Sequence, residues 1–310
     1  ISDVIWHLLG DDDSYIRWPV ARELNTLVEL GLKDDLGLLL DRFEQREIRA
    51  LASADRTLSF QNSQQWLLMG LARAALHHGH TMVAIRPKLL ALAKRSDLHV
   101  IHKVHIARCL EHIDGGARNA ELDSLLNEIN QPPCGTAISD DYPPAAIPTS
   151  DFHFGYEFTK HEIGALARLF NIPQAVVEDA IAAEITRLWP EASSLDFFLG
   201  RTRYEWELSD RYEFYQEHIQ KHALLSAATN LSKKLPVAIR SYEIRNDSPW
   251  LEWRDRYDVT FNDGSWLSDR KDPIPQQAKE NLLGQRIDQQ ETLQDQQTVL
   301  GKLGFLDAAP

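Results

Sequence analysis

The sequence predicts a mainly α protein, and three observations predict it. Apolar residues recur at three- and four-residue spacing through the first 130 residues, apolar–polar alternation is absent there, and glycines, acids and hydroxyls punctuate the pattern as helix stops and starts. Ser2 is placed to open a helix carrying Trp6 and Leu9, which Gly10 ends. Asp11, Asp12, Asp13 and Ser14 start a second, with Ile16, Val20, Leu24, Leu27 and Val28 on one face, Pro19 in an early turn and Gly31 as its stop. Leu36, Leu39, Leu40 and Phe43 form the next stripe. A polar break spans Ser53 to Ser63, after which Trp66, Met69, Gly70, Ala74 and Leu76 mark a helix that Gly79 closes. Thr81–Arg95, Asp97–Asp114 and Arg118–Asn130 each read as one more helix, the middle one capped by Asp97 and stopped by Gly115 and Gly116. Helices of roughly 10 to 18 residues joined by tight turns bury their stripes on one another, which suits HEAT-like helical pairs over residues 1–130 or an irregular bundle.

Residues 131–150 hold five of the 14 prolines and cannot continue a helix, so they read as a linker and as the preferred site of limited proteolysis. Helical signals resume at Asp151–Phe170, at Pro173–Leu188 with Asn171 as its cap, and from Leu208 through Lys234, giving a second helical domain over 151–235. Residues 236–310 then read as a small mixed region. Alternation in Ser241–Arg245 and in Tyr257–Phe261, ahead of the turn signal Asn262-Asp263-Gly264, predicts one or two short strands. The Gln-rich stretch 276–300 is an exposed helix or a poorly packed tail.

At 310 residues, 43% hydrophobic and 25% charged, the chain has the composition of a soluble protein. Its apolar runs fall far short of the roughly 20 residues that span a bilayer, and its start has no signal-peptide pattern, so a cytoplasmic location and no membrane partner are expected. Cys109 and Cys134 cannot make a disulfide framework, nor a cysteine-based zinc site. The first residue is Ile1, which suggests processing or excision from a larger chain. Charge is uneven: residues 1–50 carry 11 acidic and 6 basic side chains, net −5, whereas residues 51–110 carry 2 and 8, net +6. The overall charge of −13 weighs against nucleic-acid binding, which relies on phosphate neutralisation.

Few residues form a pattern that carries chemistry. His99, His102 and His105 stand at i, i+3 and i+6, and His218 and His222 at i, i+4 beside Glu217, so either group presents two imidazoles on one helix face. A zinc site needs three or four converging ligands, and neither group shows its third, so both read as ordinary histidines and no metal or cofactor is assigned. A phosphate loop, a GxGxxG turn and a GxSxG elbow are all missing from the sequence. Glu205, Glu207, Asp210, Glu213 and Glu217, interleaved with Arg201, Arg203 and Arg211, read as a solvated helix face. The tract from Trp250 to Trp266 is different, with Trp250, Trp253, Tyr257, Phe261 and Trp266 among Arg254, Asp255, Arg256 and Asp258, then Arg270. Trp, Tyr and Arg are enriched at interface hot spots, so Trp250, Trp253, Arg254, Trp266 and Arg270 are candidate partner-binding residues; the alternative is an aromatic core.

Three segments carry a resemblance: Asp151-Phe152-His153-Phe154 leading to Leu166–Ile172, Arg211–Tyr215 running to His222–Leu225, and Ser265–Pro275. They are similar to the part that follows the ATPase in large bacterial STAND-type (NACHT-like) NTPases, including Avs-type antiphage defence proteins. Asp13–Trp18 and Gln64–Leu68 resemble the helical repeats of the same proteins. What the resemblance implies is a sensor or regulatory half, in which recognition of a phage protein triggers oligomerisation of the ATPase and action of an effector. On that reading this chain is a protein-recognition module, not an enzyme, and its partners are a protein such as a phage component and the other domains of a larger parent. A metal-dependent hydrolase using His218 and His222, or a ligand-free helical scaffold, is the alternative.

Overall fold

Amphipathic spacing sets where the chain coils. The computed structural model describes residues 2–11, 13–44, 59–141, 143–192, 215–240 and 248–258. Among them the fold is mainly α, and no helix is long and apolar enough to cross a membrane. Two compact units form, one from residues 1–92 and 108–118 among those described, the other from 93–107 and 119–261. The division does not follow the expected domain boundaries: residues 93–107 and 119–130, expected with the first helices, belong to the second unit, as do residues 131–150.

In the first unit, α1 (Ser2–Leu9), α2 (Ser14–Glu29), α3 (Lys33–Asp41) and α4 (Ser59–His78) bury most of the stripes expected of them, while Leu76 of α4 is exposed instead. Ile5, Trp6 and Leu9 of α1 meet Val20, Leu24, Leu27 and Val28 of α2 in the interior, and Trp6 stands edge-on to Phe43 and Phe60 at 5.7 and 5.9 Å. Arg17 lies over the Trp66 ring at 5.3 Å and Trp18 meets it edge-on at 5.4 Å, so α2 and α4 are joined by a cation–π contact as well as by burial. The start of α4 departs from the sequence reading. Gln61, Asn62 and Ser63, expected as the end of a polar break, are helical and buried, as are Gln64 and Gln65 after them. Their polarity is partly matched inside, as when the Ser63 hydroxyl donates to the Trp6 carbonyl at 2.8 Å.

A 3₁₀ turn (Gly79–Ile85) follows, then α5 (Arg86–Ala93). Arg86 grips Asp114 through two bonds of 2.6 and 2.9 Å. Gly79 stands against backbone: a Cβ there would meet the His112 carbonyl oxygen at 2.3 Å and its carbon at 2.6 Å. Neither atom is a flexible side-chain tip that can swing away. Gly79→Ala is therefore expected to lower stability by about 1–3 kcal/mol, read as a drop in the urea midpoint; an unchanged midpoint would refute the close approach.

The second unit takes the first turns of α6 (Val100–Ile113) and α7 (Ala120–Asn130), whose Asn119 side chain accepts from the Leu122 N–H at 2.9 Å. A π-helical turn (Phe158–Ile163), α8 (Gly164–Phe170), α9 (Gln174–Leu188) and α10 (Tyr215–Ser232) follow. Asn171 caps the end of α8 in the left-handed region at φ 52°, where the sequence reading had it opening α9. β1 (Thr136–Ile138) and β2 (Val237–Ile239) pair in parallel, and α11 (Pro249–Asp255) packs on α8 and β2. The strand expected at Ser241–Arg245 lies outside the described residues, and Tyr257 follows a helix. Residues 131–150 are thus tied down. Ser139 N–H donates to the Ile239 carbonyl, the Arg240 guanidinium to the Ser139 and Asp141 carbonyls, and the Thr149 and Ser150 N–H groups to Asp179 at 2.9 and 2.8 Å.

Candidate functional site

The aromatic tract resolves first, and it corrects the partner-binding expectation for three of its five residues. Trp250 (1% exposed), Trp253 and Arg254 are buried. α7 ends with carbonyls that have no partner within the helix, and α11 covers that end: the Trp250 indole N–H donates to the Ile129 carbonyl at 2.9 Å, and Arg254 donates to the same oxygen at 3.2 Å and to Asn130 Oδ1 at 2.7 Å. A guanidinium at a helix C-terminus also meets the negative end of the helix dipole. Trp250 stacks on Trp253 at 5.5 Å and leans on Phe170 at 6.3 Å. The Tyr257 hydroxyl donates to the Glu162 carboxylate, and burial together with that bond pushes the phenol pKa far up. The tract is an internal clasp. Trp266 and Arg270 lie outside the described residues.

The histidines come together instead. His99 immediately precedes α6 and its Nδ1 accepts, at 3.4 Å, from the His102 N–H, so it stands at the helix start where a cap is needed. Asp97, the expected cap, is held by Arg95 through bonds of 2.9 and 2.7 Å. One turn on, His102 stacks on His99 with ring centroids 3.7 Å apart. His222 comes from the middle of α10, its Nδ1 3.2 Å from His99 Nε2. One ring nitrogen from each of His99, His102 and His222 lies within 4.8 Å of the other two. This supplies the third imidazole that neither sequence group showed. His218 sits beside His222 at 4.6 Å, turned edge-on to Trp189, and His105 is buried further along α6.

Burial dominates the electrostatics of the trio. Desolvation first, then the neighbouring imidazoles, hold His99 and His222 well below the ordinary histidine pKa, and His102 is pushed down to about 3. All three are neutral at pH 7. Lys221 adds to the depression of His99 and His222, whereas Asp97 opposes it at His102. A hydrogen bond from His99 Nε2 to His222 Nδ1, with His99 Nδ1 accepting, fixes the tautomers of those two rings. His102 is anomalous: it is 2% exposed, and neither ring nitrogen has a hydrogen-bond partner among the described residues. Each unmade bond of a buried polar group costs about 1–3 kcal/mol. Among the described residues the trio gathers no carboxylate or thiolate. Chemically it offers three neutral nitrogen lone pairs, shielded from water.

The remaining acidic cluster is largely outside the described residues, and Glu217 is exposed. No protein-family model matches the chain, and no curated protein matches it.

Proposed function

We propose that the chain is a protein-recognition module, the sensor or regulatory half of a larger STAND-type antiphage NTPase, working in the cytoplasm and without catalysis of its own. The observation that carries the reading is the contact between its two repeat-like segments. Arg17 and Trp18 of Asp13–Trp18 close on Trp66 of Gln64–Leu68, so the residues that resemble the family's helical repeats form one helix-pair core. In the resembling segment Leu166–Ile172, Leu166, Ala167, Leu169 and Phe170 are likewise buried, and Asn171 turns the chain. Such positions specify a fold, which is what a shared helical architecture requires of them.

With Trp250, Trp253 and Arg254 inside, the surface best suited to a partner is the strap from Thr136 to Tyr156. Ile138, Ile147 and Tyr156 point to solvent there, Ile147 at 88% exposure, among Pro143, Pro144 and Pro148. Arg240 and Asp179 already fix this strap to its unit, so little chain entropy remains to be lost on binding. The hydrolase alternative gains nothing from the geometry, because the histidine trio is closed to solvent and gathers no carboxylate base among the described residues.

The test is capture from lysates of phage-infected and uninfected bacteria on the immobilised chain, read by mass spectrometry. One phage protein, enriched only after infection, is expected, and Ile138→Asp with Ile147→Asp should weaken its retention at least roughly 10-fold with an unchanged melting temperature. Identical proteins from both lysates, or equal capture by the double variant, would overturn the reading.

A further inference from the structure

We propose that His99, His102 and His222 form a binding site for one transition-metal ion of the zinc class, which fastens the start of α6 to the middle of α10. The inference is independent of the recognition reading. Ligand number and type come first. Three imidazoles from two helices suit zinc, copper, nickel or cobalt, and an all-nitrogen set excludes magnesium and calcium, which take oxygen. Geometry comes second. Zinc holds imidazole nitrogen at about 2.0–2.1 Å, so two ligands of a tetrahedral ion stand roughly 3.3 Å apart. His99 Nε2 and His222 Nδ1 are 3.2 Å apart, already the edge of such a tetrahedron, and one nitrogen of His102 lies within 4.8 Å of one nitrogen of each of the other two rings. A turn of the His102 ring out of its stack on His99 brings it into range.

The third argument is the state of His102 without an ion. A buried imidazole that serves only the core ordinarily has its nitrogens hydrogen-bonded, yet neither nitrogen of His102 finds a partner among the described residues, and Nε2 of His222 finds none either. Coordination gives His102 the partner that the protein does not. The proton balance is internal. When His99 binds through Nε2, its proton moves to Nδ1, the bond to His222 is replaced by two metal–nitrogen bonds, and the 3.4 Å contact to the His102 N–H is given up. His222 keeps its proton on Nε2 and His102 keeps one on its unbound nitrogen. The ion's charge is not neutralised by the three ligands, so a water or small anion completes the fourth position, and Asp97, at the surface, is the carboxylate whose charge reaches His102. Burial of all three rings shields the site from bulk water, so the ion's role there is to tie two helices together.

The test uses the untagged full chain, stripped with a chelator and titrated with zinc, with cobalt as a spectroscopic probe and magnesium as control. One equivalent of zinc is expected to bind and to raise the melting temperature, cobalt to give the intense visible bands of a tetrahedral nitrogen site, and magnesium to do neither. His102→Gln and, separately, His222→Gln should weaken zinc binding at least roughly 100-fold, whereas the exposed His77→Gln with His80→Gln leaves it unchanged. His102→Gln is the decisive variant, since that ring makes no hydrogen bond whose loss could unfold the chain. A wild-type chain that takes up no zinc, or zinc uptake surviving in His102→Gln, would overturn the site.

Discussion

Trp250→Ala is expected to destabilise the second unit by about 3–5 kcal/mol, the range for truncating a buried indole. The side chain is fully enclosed, stacked on Trp253 and leaning on Phe170, so its removal leaves a cavity bounded by rings that cannot easily collapse. The Ile129 carbonyl also loses one of its two donors and is left to Arg254. Trp250→Phe separates the two contributions: it keeps much of the apolar volume and deletes the N–H, and should cost only about 1–2 kcal/mol. Urea unfolding followed by far-UV circular dichroism measures both. A partner-surface role makes the opposite forecast, with stability untouched by either change. A Trp250→Ala chain within about 0.5 kcal/mol of wild type would therefore return the tract to the surface and sink the clasp.

Helix existence was legible because it depends on spacing along the chain. The stripe Val20, Leu24, Leu27, Val28 and the stops Gly31, Gly115 and Gly116, all at positive φ, act within one or two turns of themselves. What stayed hidden depends on distant partners. Gln61, Asn62 and Ser63 are polar and therefore read as the end of a break, but the interior around α1 and α2 offers partners such as the Trp6 carbonyl, 57 residues away from Ser63. The proline-rich segment read as a linker because proline forbids helix; that Arg240 and Asp179 would hold it extended against a parallel strand a hundred residues on has no local signal. The histidine trio is the clearest case. His99 and His102 announce a shared face through their spacing, but His222 stands 123 positions from His99, and nothing short of the packing of α6 on α10 makes it the third member. The aromatic tract was read for its composition, which core and interface share. Burial and the end of α7 distinguish them.

Acidification from pH 7 to 5 is expected to weaken the metal-free protein by at least about 2 kcal/mol. Unfolded histidine takes up its proton near pH 6.5, whereas folded His102 does so only near pH 3, so between those values the unfolded chain binds more protons and is favoured as pH falls. The stability linked to this ring is complete above about pH 6.5 and is lost progressively on the way down to about 3. At pH 5 the loss amounts to about 2 kcal/mol for His102 alone, and His99 and His222, depressed by the same desolvation, add to it in the same direction. Asp97 and Asp179 are held below the usual carboxylate range, the first by Arg95 and the second by the Thr149 and Ser150 donors against the opposing effect of burial, so their bonds outlast this window. Glu178, raised by burial and then by Asp179, takes up its proton more readily in the folded state and opposes the histidines as pH falls. Urea midpoints at pH 7, 6 and 5 with chelator present give the slope. His102→Leu removes one titrating ring and its two unmade hydrogen bonds together, so it should be at least as stable as wild type at pH 7 and should flatten the slope between pH 6.5 and 5. A wild-type midpoint that does not move over that interval, or a His102→Leu slope equal to the wild type's, would mean that the trio is not held neutral in the folded interior.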